Sequence, residues 1–197
     1  MEHRDDIGAK LGMWVFIFTE ILLFGGLFLV YAVMRINYSA DFHQAAHHLN
    51  AFIGAVNTIV LLLSSATVAM SITAVQRGKN QHAAILLFIT LLCAGVFLLN
   101  KYFEWGHKFH IGLYPGSDLM VTLSHGQVMF FSLYFLMTGL HMLHLIIGGI
   151  ILTIVMIKVH HRTINESRYV LLENGGLYWH LVDLIWIFLF PLLYLIT

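Results

Sequence analysis

The chain has 197 residues, of which 59% are hydrophobic and 10% charged, so it lacks the roughly one-quarter of charged residues typical of an ordinary soluble domain. Ten basic and ten acidic residues balance, which removes electrostatic attraction to nucleic acid or to acidic substrates. The single cysteine, Cys93, lies within an apolar run and cannot build an internal disulfide or a thiolate metal cluster; thirteen histidines are the compositional oddity.

Five apolar runs, at about 11–34, 52–75, 82–105, 126–157 and 177–196, each reach the ~20 residues a helix needs to cross hydrocarbon. They predict an all-α integral membrane bundle of five transmembrane helices, with residues 1–197 forming a single transmembrane domain. The charged start is followed by a run too long for a signal-peptide core and without a small-residue cleavage site, so it reads as a retained first span.

In the first run, Glu20 lies roughly 14 Å from Leu11 at ~1.5 Å per residue, near the bilayer midplane, with Phe16, Leu23, Phe24 and Leu27 on its face. It has no partner on its own helix. It is therefore either protonated or satisfied by a residue such as a histidine from another helix. In the loop that follows, His43, His47 and His48 occupy a short amphipathic segment, 41–48. His43 and His47 have zinc-like i, i+4 spacing, but no carboxylate or cysteine completes a ligand set, so metal binding is not expected.

The second run carries Asn57, Ser64 and Ser71 at heptad spacing with Thr67 beside them, the small polar seam that membrane helices use for close approach. On the third, Lys101, Glu104 and Lys108 share a face near the outer end. On the fourth, Thr138, His141, His144 and Gly148 share a face; interhelical hydrogen bonding is a better reading than metal or haem ligation, because two histidines three apart need further ligands at matching depth. This run exceeds a span, so its end, 158–162, with His160 and His161, is expected to project into water.

The fifth run places Trp179, His180, Asp183 and Trp186 on one face near its cytoplasmic end. His180 and Asp183, at i and i+3, are expected to hydrogen-bond to one another, shielded from lipid by the tryptophans, in a structural role. Basic residues set the orientation. Arg4, Lys10, Arg77, Lys79, Lys158, Arg162 and Arg168 lie on the amino-terminal side against Arg35, Lys101 and Lys108 on the other, so the N-terminus is expected in the cytoplasm and the C-terminus outside. The two prolines, Pro115 in a loop and Pro191 near the end of the last run, do not signal transporter-like broken helices. There is no glycine-rich phosphate loop, Ser/His/Asp arrangement, haem-attachment motif or di-cysteine copper motif, and the chain alone is expected to catalyse nothing.

Five segments, 12–20 (GMWVFIFTE), 57–65 (NTIVLLLSS), 101–105 (KYFEW), 138–144 (TGLHMLH) and 178–186 (YWHLVDLIW), occur in this order. Together they closely resemble subunit III of haem-copper terminal oxidases, the cytochrome c oxidase subunit III family, in its short five-helix bacterial form. The resemblance implies an accessory, non-redox subunit in the bacterial cytoplasmic (inner) membrane. It would hold no haem or copper itself and would pack on the catalytic subunit I, with subunit II and other small subunits, in a proton-pumping oxidase that reduces oxygen to water. It further implies support of proton uptake, protection from turnover-linked inactivation, and phospholipid binding. Glu20 matches the family's carbodiimide-reactive intramembrane carboxylate and Glu104 its second glutamate. Asn57, Lys101, His141, His144, Trp179, His180, Asp183 and Trp186 fall in the signatures as structural or lipid-contacting residues. Longer members have two further helices before the one matching 11–34, forming one arm of a lipid-holding cleft, and this sequence departs from that pattern. The electron donor, cytochrome c or quinol, stays open. Two rival readings are a b-type membrane cytochrome with haem on His141 or His144 and His180, and a small proton channel using Glu20.

Overall fold

The computed structural model describes residues 6–196; Arg4, counted among the basic residues above, lies outside them. The described residues form seven helices: α1 (Asp6–Asn37), α2 (Ser39–Ala46), α3 (Ala51–Gln76), α4 (Asn80–His110), α5 (Asp118–Thr122), α6 (His125–His160) and α7 (Val170–Tyr194). Among the described residues, β pairing is confined to an isolated bridge between Asn165 and Arg168. Helices α1, α3, α4, α6 and α7 are long and apolar enough to cross a membrane, which bears out the five predicted spans.

Local sequence marks the boundaries. Asn50 caps α3 by accepting from the Phe52 and Ile53 amides at 3.0 and 3.3 Å. Ser124 and Gln127 form a reciprocal capping box at the start of α6. Gly78, at φ 70°, turns the chain between α3 and α4, a conformation that costs a side-chain-bearing residue strain. The 36 residues of α6 extend about 54 Å against ~30 Å of hydrocarbon, more than a span needs, and His160 and His161 at its end are exposed.

Helices α3, α4, α6 and α7 pack around one another, while α1 lies against α6 and α7 and α2 spans from α1 to α6. Only Ile17, Phe24 and Tyr31 of α1 are fully buried, at heptad spacing, which makes it a peripheral helix with one narrow seam. The Tyr31 hydroxyl donates to the Leu192 carbonyl near the end of α7. At the other end, Lys10 Nζ lies 2.7 Å from Glu173 Oε2, and Asn174 Nδ2 donates to the Ala9 carbonyl at 3.1 Å.

These contacts explain why α7 begins at Val170 and not near 177. Glu173 and Asn174 interrupt the apolar run, yet α1 pairs with the Glu173 carboxylate and accepts from the Asn174 amide. The earlier start places His180 and Asp183 near the middle of the helix, which corrects their expected position near its end. Two glycines set interhelical distances. A Cβ on Gly126 would fall 2.4 Å from Asp41 Oδ2, and one on Gly148 would meet the Trp179 and Tyr178 rings at 3.0 Å.

Candidate functional site

Polar side chains inside the bundle collect at three levels. At the end that carries the α7 C-terminus, Glu104 on α4 is only 8% exposed. Its carboxylate lies 3.0 Å from Lys101 Nζ and 3.3 Å from Lys108 Nζ, and it accepts from the Tyr134 hydroxyl of α6 at 2.8 Å and the Tyr194 hydroxyl of α7 at 2.7 Å. Lys101, with no exposed surface, also donates to the Tyr194 hydroxyl, and its ammonium sits 4.8 Å from the Trp186 ring centroid. One helix thus supplies three charges at i, i+3 and i+7, and two others supply phenols and aromatic faces. An ion cluster so completed is desolvated but satisfied, and removing one partner leaves uncompensated charge. Tyr134 and Tyr194 escaped the sequence reading. Helical phase groups residues within α4 but carries no information on which tyrosines of α6 and α7 meet them.

At mid-depth, Glu20 of α1 meets His144 of α6. His144 Nε2 is 2.9 Å from Glu20 Oε2, an ion-pair separation without hydrogen-bond alignment, and both side chains retain about a tenth of their surface exposed. His144 Nδ1 lies 2.8 Å from the Leu140 carbonyl. A carbonyl only accepts, so Nδ1 carries the hydrogen and Nε2 faces the carboxyl. The pairing supplies the histidine that the position of Glu20 calls for. Phe24 packs on the His144 ring, with centroids 5.4 Å apart.

The third level joins α3 to α7. Ser64 Oγ accepts from Trp179 Nε1 at 3.0 Å, donates to the Leu61 carbonyl at 2.7 Å, and lies 3.5 Å from Asp183 Oδ2. His180 Nδ1 is 2.6 Å from Ser65 Oγ. The expected His180–Asp183 hydrogen bond is therefore not formed, because each residue turns to its own serine on α3. Asp183 Oδ1 is buried without a partner among the described residues. The tryptophans do not shield this pair from lipid. Both are fully buried between helices, with Trp186 Nε1 donating to Thr58 at 3.0 Å. The α3 seam is as expected: Asn57, Ser64 and Ser71 are buried, Asn57 accepts from Asn100 at 2.8 Å, and Thr67 bonds Thr90 at 2.8 Å.

His141 departs from the hydrogen-bonding role expected of it. It has no exposed surface, neither ring nitrogen has a hydrogen-bond partner among the described residues, and it lies between Phe97 and Trp186 at 5.5 and 5.2 Å between centroids. A haem iron needs a ring nitrogen with open space beyond it; His141 is enclosed between Phe97 and Trp186 and His144 Nε2 faces Glu20, so neither fits as the partner ligand to His180 in the cytochrome reading. Among the described residues no three His, Cys, Asp or Glu side chains are grouped to hold a metal ion. His43 Nδ1 instead donates to the Ile196 carbonyl at 2.9 Å.

Fold and site together define a polytopic α-helical membrane protein whose buried polar groups join helix to helix. Residues 3–197 match the family model described as cytochrome c oxidase subunit III, and the chain belongs to that family. It is 28% identical to the cytochrome c oxidase subunit 3 of Corynebacterium diphtheriae, over 95% of this chain and 88% of the relative. It is 30% identical to the probable quinol oxidase subunit 3 of Staphylococcus saprophyticus, over 98% and 91% of the two chains. It is also 32% identical to part of the heme-copper oxidase subunit I+III of Aeropyrum pernix, over 95% of this chain and 22% of that longer protein.

Proposed function

We propose that this chain is the accessory, non-redox subunit of a proton-pumping haem-copper terminal oxidase in a bacterial cytoplasmic membrane, docked on a catalytic subunit I that carries the haem and copper, with subunit II and bound phospholipid beside it. The carrying observation is that, in a member of the subunit III family, intramembrane polar groups are spent on holding α3, α4, α6 and α7 together. The relative in which subunits I and III share one chain supports direct contact with a catalytic subunit. Residues 1–197 act as one unit in this reading.

Orientation follows the basic residues. Lys101 and Lys108 are buried in the Glu104 cluster, so of the three cations assigned to the outer side only Arg35 remains in water, which strengthens the case for a cytoplasmic N-terminus. Glu20, with His144 beside it, is the carboxyl we assign to an influence on the partner's proton uptake, because it is an ionisable group on a membrane-length helix that stands outside the closed Glu104 cluster.

Mild-detergent purification through a tag on this chain tests the reading. The expected result is co-purification of a large haem-bearing subunit with oxygen consumption. Recovery of the chain alone with a haem Soret band of its own would replace this reading with the cytochrome one.

A further inference from the structure

Between α1, α3 and α7, at the end that carries the α1 N-terminus, lies a crevice of about 390 Å³ lined by Lys10, Ile72, Glu173, Asn174, Leu177 and His180. Its mouth is the Lys10–Glu173 ion pair, where the lysine side chain is 48% exposed. Further in, Asn174 gives its amide hydrogens to the Ala9 carbonyl, but its Oδ1 is buried without a partner among the described residues, and the residue is only 9% exposed. Its inner wall is His180, ten residues beyond the start of α7 and thus roughly 15 Å along the axis, half the ~30 Å hydrocarbon thickness. Past His180 the polar groups continue on the neighbouring helix. Ser65 meets His180, and its neighbour Ser64 lies 3.5 Å from Asp183 Oδ2.

Hydrocarbon cannot satisfy an unpaired amide oxygen or the open side of an imidazole, whereas water can. The volume accommodates about thirteen waters at ~30 Å³ each, with polar partners among Lys10, Glu173, Asn174 and His180. We propose that this crevice is filled with water from the Lys10 end as far as His180, so that the imidazole of a membrane-length helix is in contact with water from one side of the membrane. The inference concerns this chain's own interior and stands whether or not the oxidase assignment holds.

Cysteine accessibility in the assembled, membrane-embedded protein tests it. In a Cys93→Ser background, Leu177→Cys and Asn174→Cys are compared with Leu22→Cys and Leu184→Cys, whose parent residues are 59% and 48% exposed on apolar faces. Thiolate, the reactive form, needs water, so a membrane-impermeant cationic thiosulfonate should modify the crevice positions at least about tenfold faster than the lipid-facing ones. Access should come from the Lys10 side alone. Leu177→Cys leaves every polar group in place, so it decides the matter if the Asn174 variant fails to assemble. Modification at Leu177 no faster than at Leu22 and Leu184 would overturn the proposal and assign the crevice to lipid chains.

Discussion

Glu104 and Glu20 are both carboxylates on membrane-length helices, yet their surroundings are opposite. Glu104 engages two lysines and two tyrosines drawn from three helices; Glu20 meets one histidine across a seam that otherwise consists of Ile17, Phe24 and Tyr31. The difference separates two uses of a buried charge. A closed, multiply satisfied cluster fixes helix positions, and its cost of desolvation is recovered only if every partner stays. A single histidine contact at the edge of the bundle leaves Glu20 outside the network that ties α4, α6 and α7 together.

Breaking the closed cluster should have the largest effect. Glu104→Ala leaves Lys101 and Lys108 buried together without an anion, a loss of about 3–5 kcal/mol. The apparent melting temperature of the purified protein should fall by on the order of 10 °C, or the chain should fail to accumulate. A change within about 2 °C would show that the lysines find water and that the cluster is not closed.

Next in size is Glu20→Lys, which sets an ammonium against His144 at the mid-depth seam. Yield of the assembled complex should drop sharply, whereas Glu20→Gln, which retains size and hydrogen-bonding capacity, should assemble within about 1 kcal/mol of the parent. Normal yields from the lysine variant would remove the distinction between this seam and a lipid-facing surface.

The smallest effects come from the α3–α7 level. Trp186→Phe loses the Thr58 hydrogen bond and ring surface beside Lys101 and should cost about 1–2 kcal/mol. Asp183→Asn, at a carboxyl with only a 3.5 Å contact to Ser64, should cost less than about 1 kcal/mol. Thermal denaturation of the two variants side by side checks the order; a reversed order would mean that Asp183 anchors the helix after all.

How much of this was legible in the sequence follows from what periodicity can carry. Hydropathy runs located all five spans, and helical phase grouped Lys101 with Glu104 and Lys108 and set out the Asn57–Ser64–Ser71 seam. Helix ends were harder, because Glu173 and Asn174 look like loop residues until Lys10 and the Ala9 carbonyl are seen to engage them. Cross-helix partners were not legible. His180 chose Ser65 over Asp183, His141 settled among aromatic rings, and Tyr134 and Tyr194 converged on Glu104, all through tertiary packing that spacing within one helix does not encode.

The contrast between an open Glu20 and an enclosed Glu104 can be tested with a lipid-soluble carbodiimide, which reacts with protonated carboxyl groups. Treatment of intact membranes followed by peptide mapping should place the adduct on Glu20, with none on Glu104 and none in the Glu20→Gln variant. Modification of Glu104 at a rate matching that of Glu20 would contradict the account.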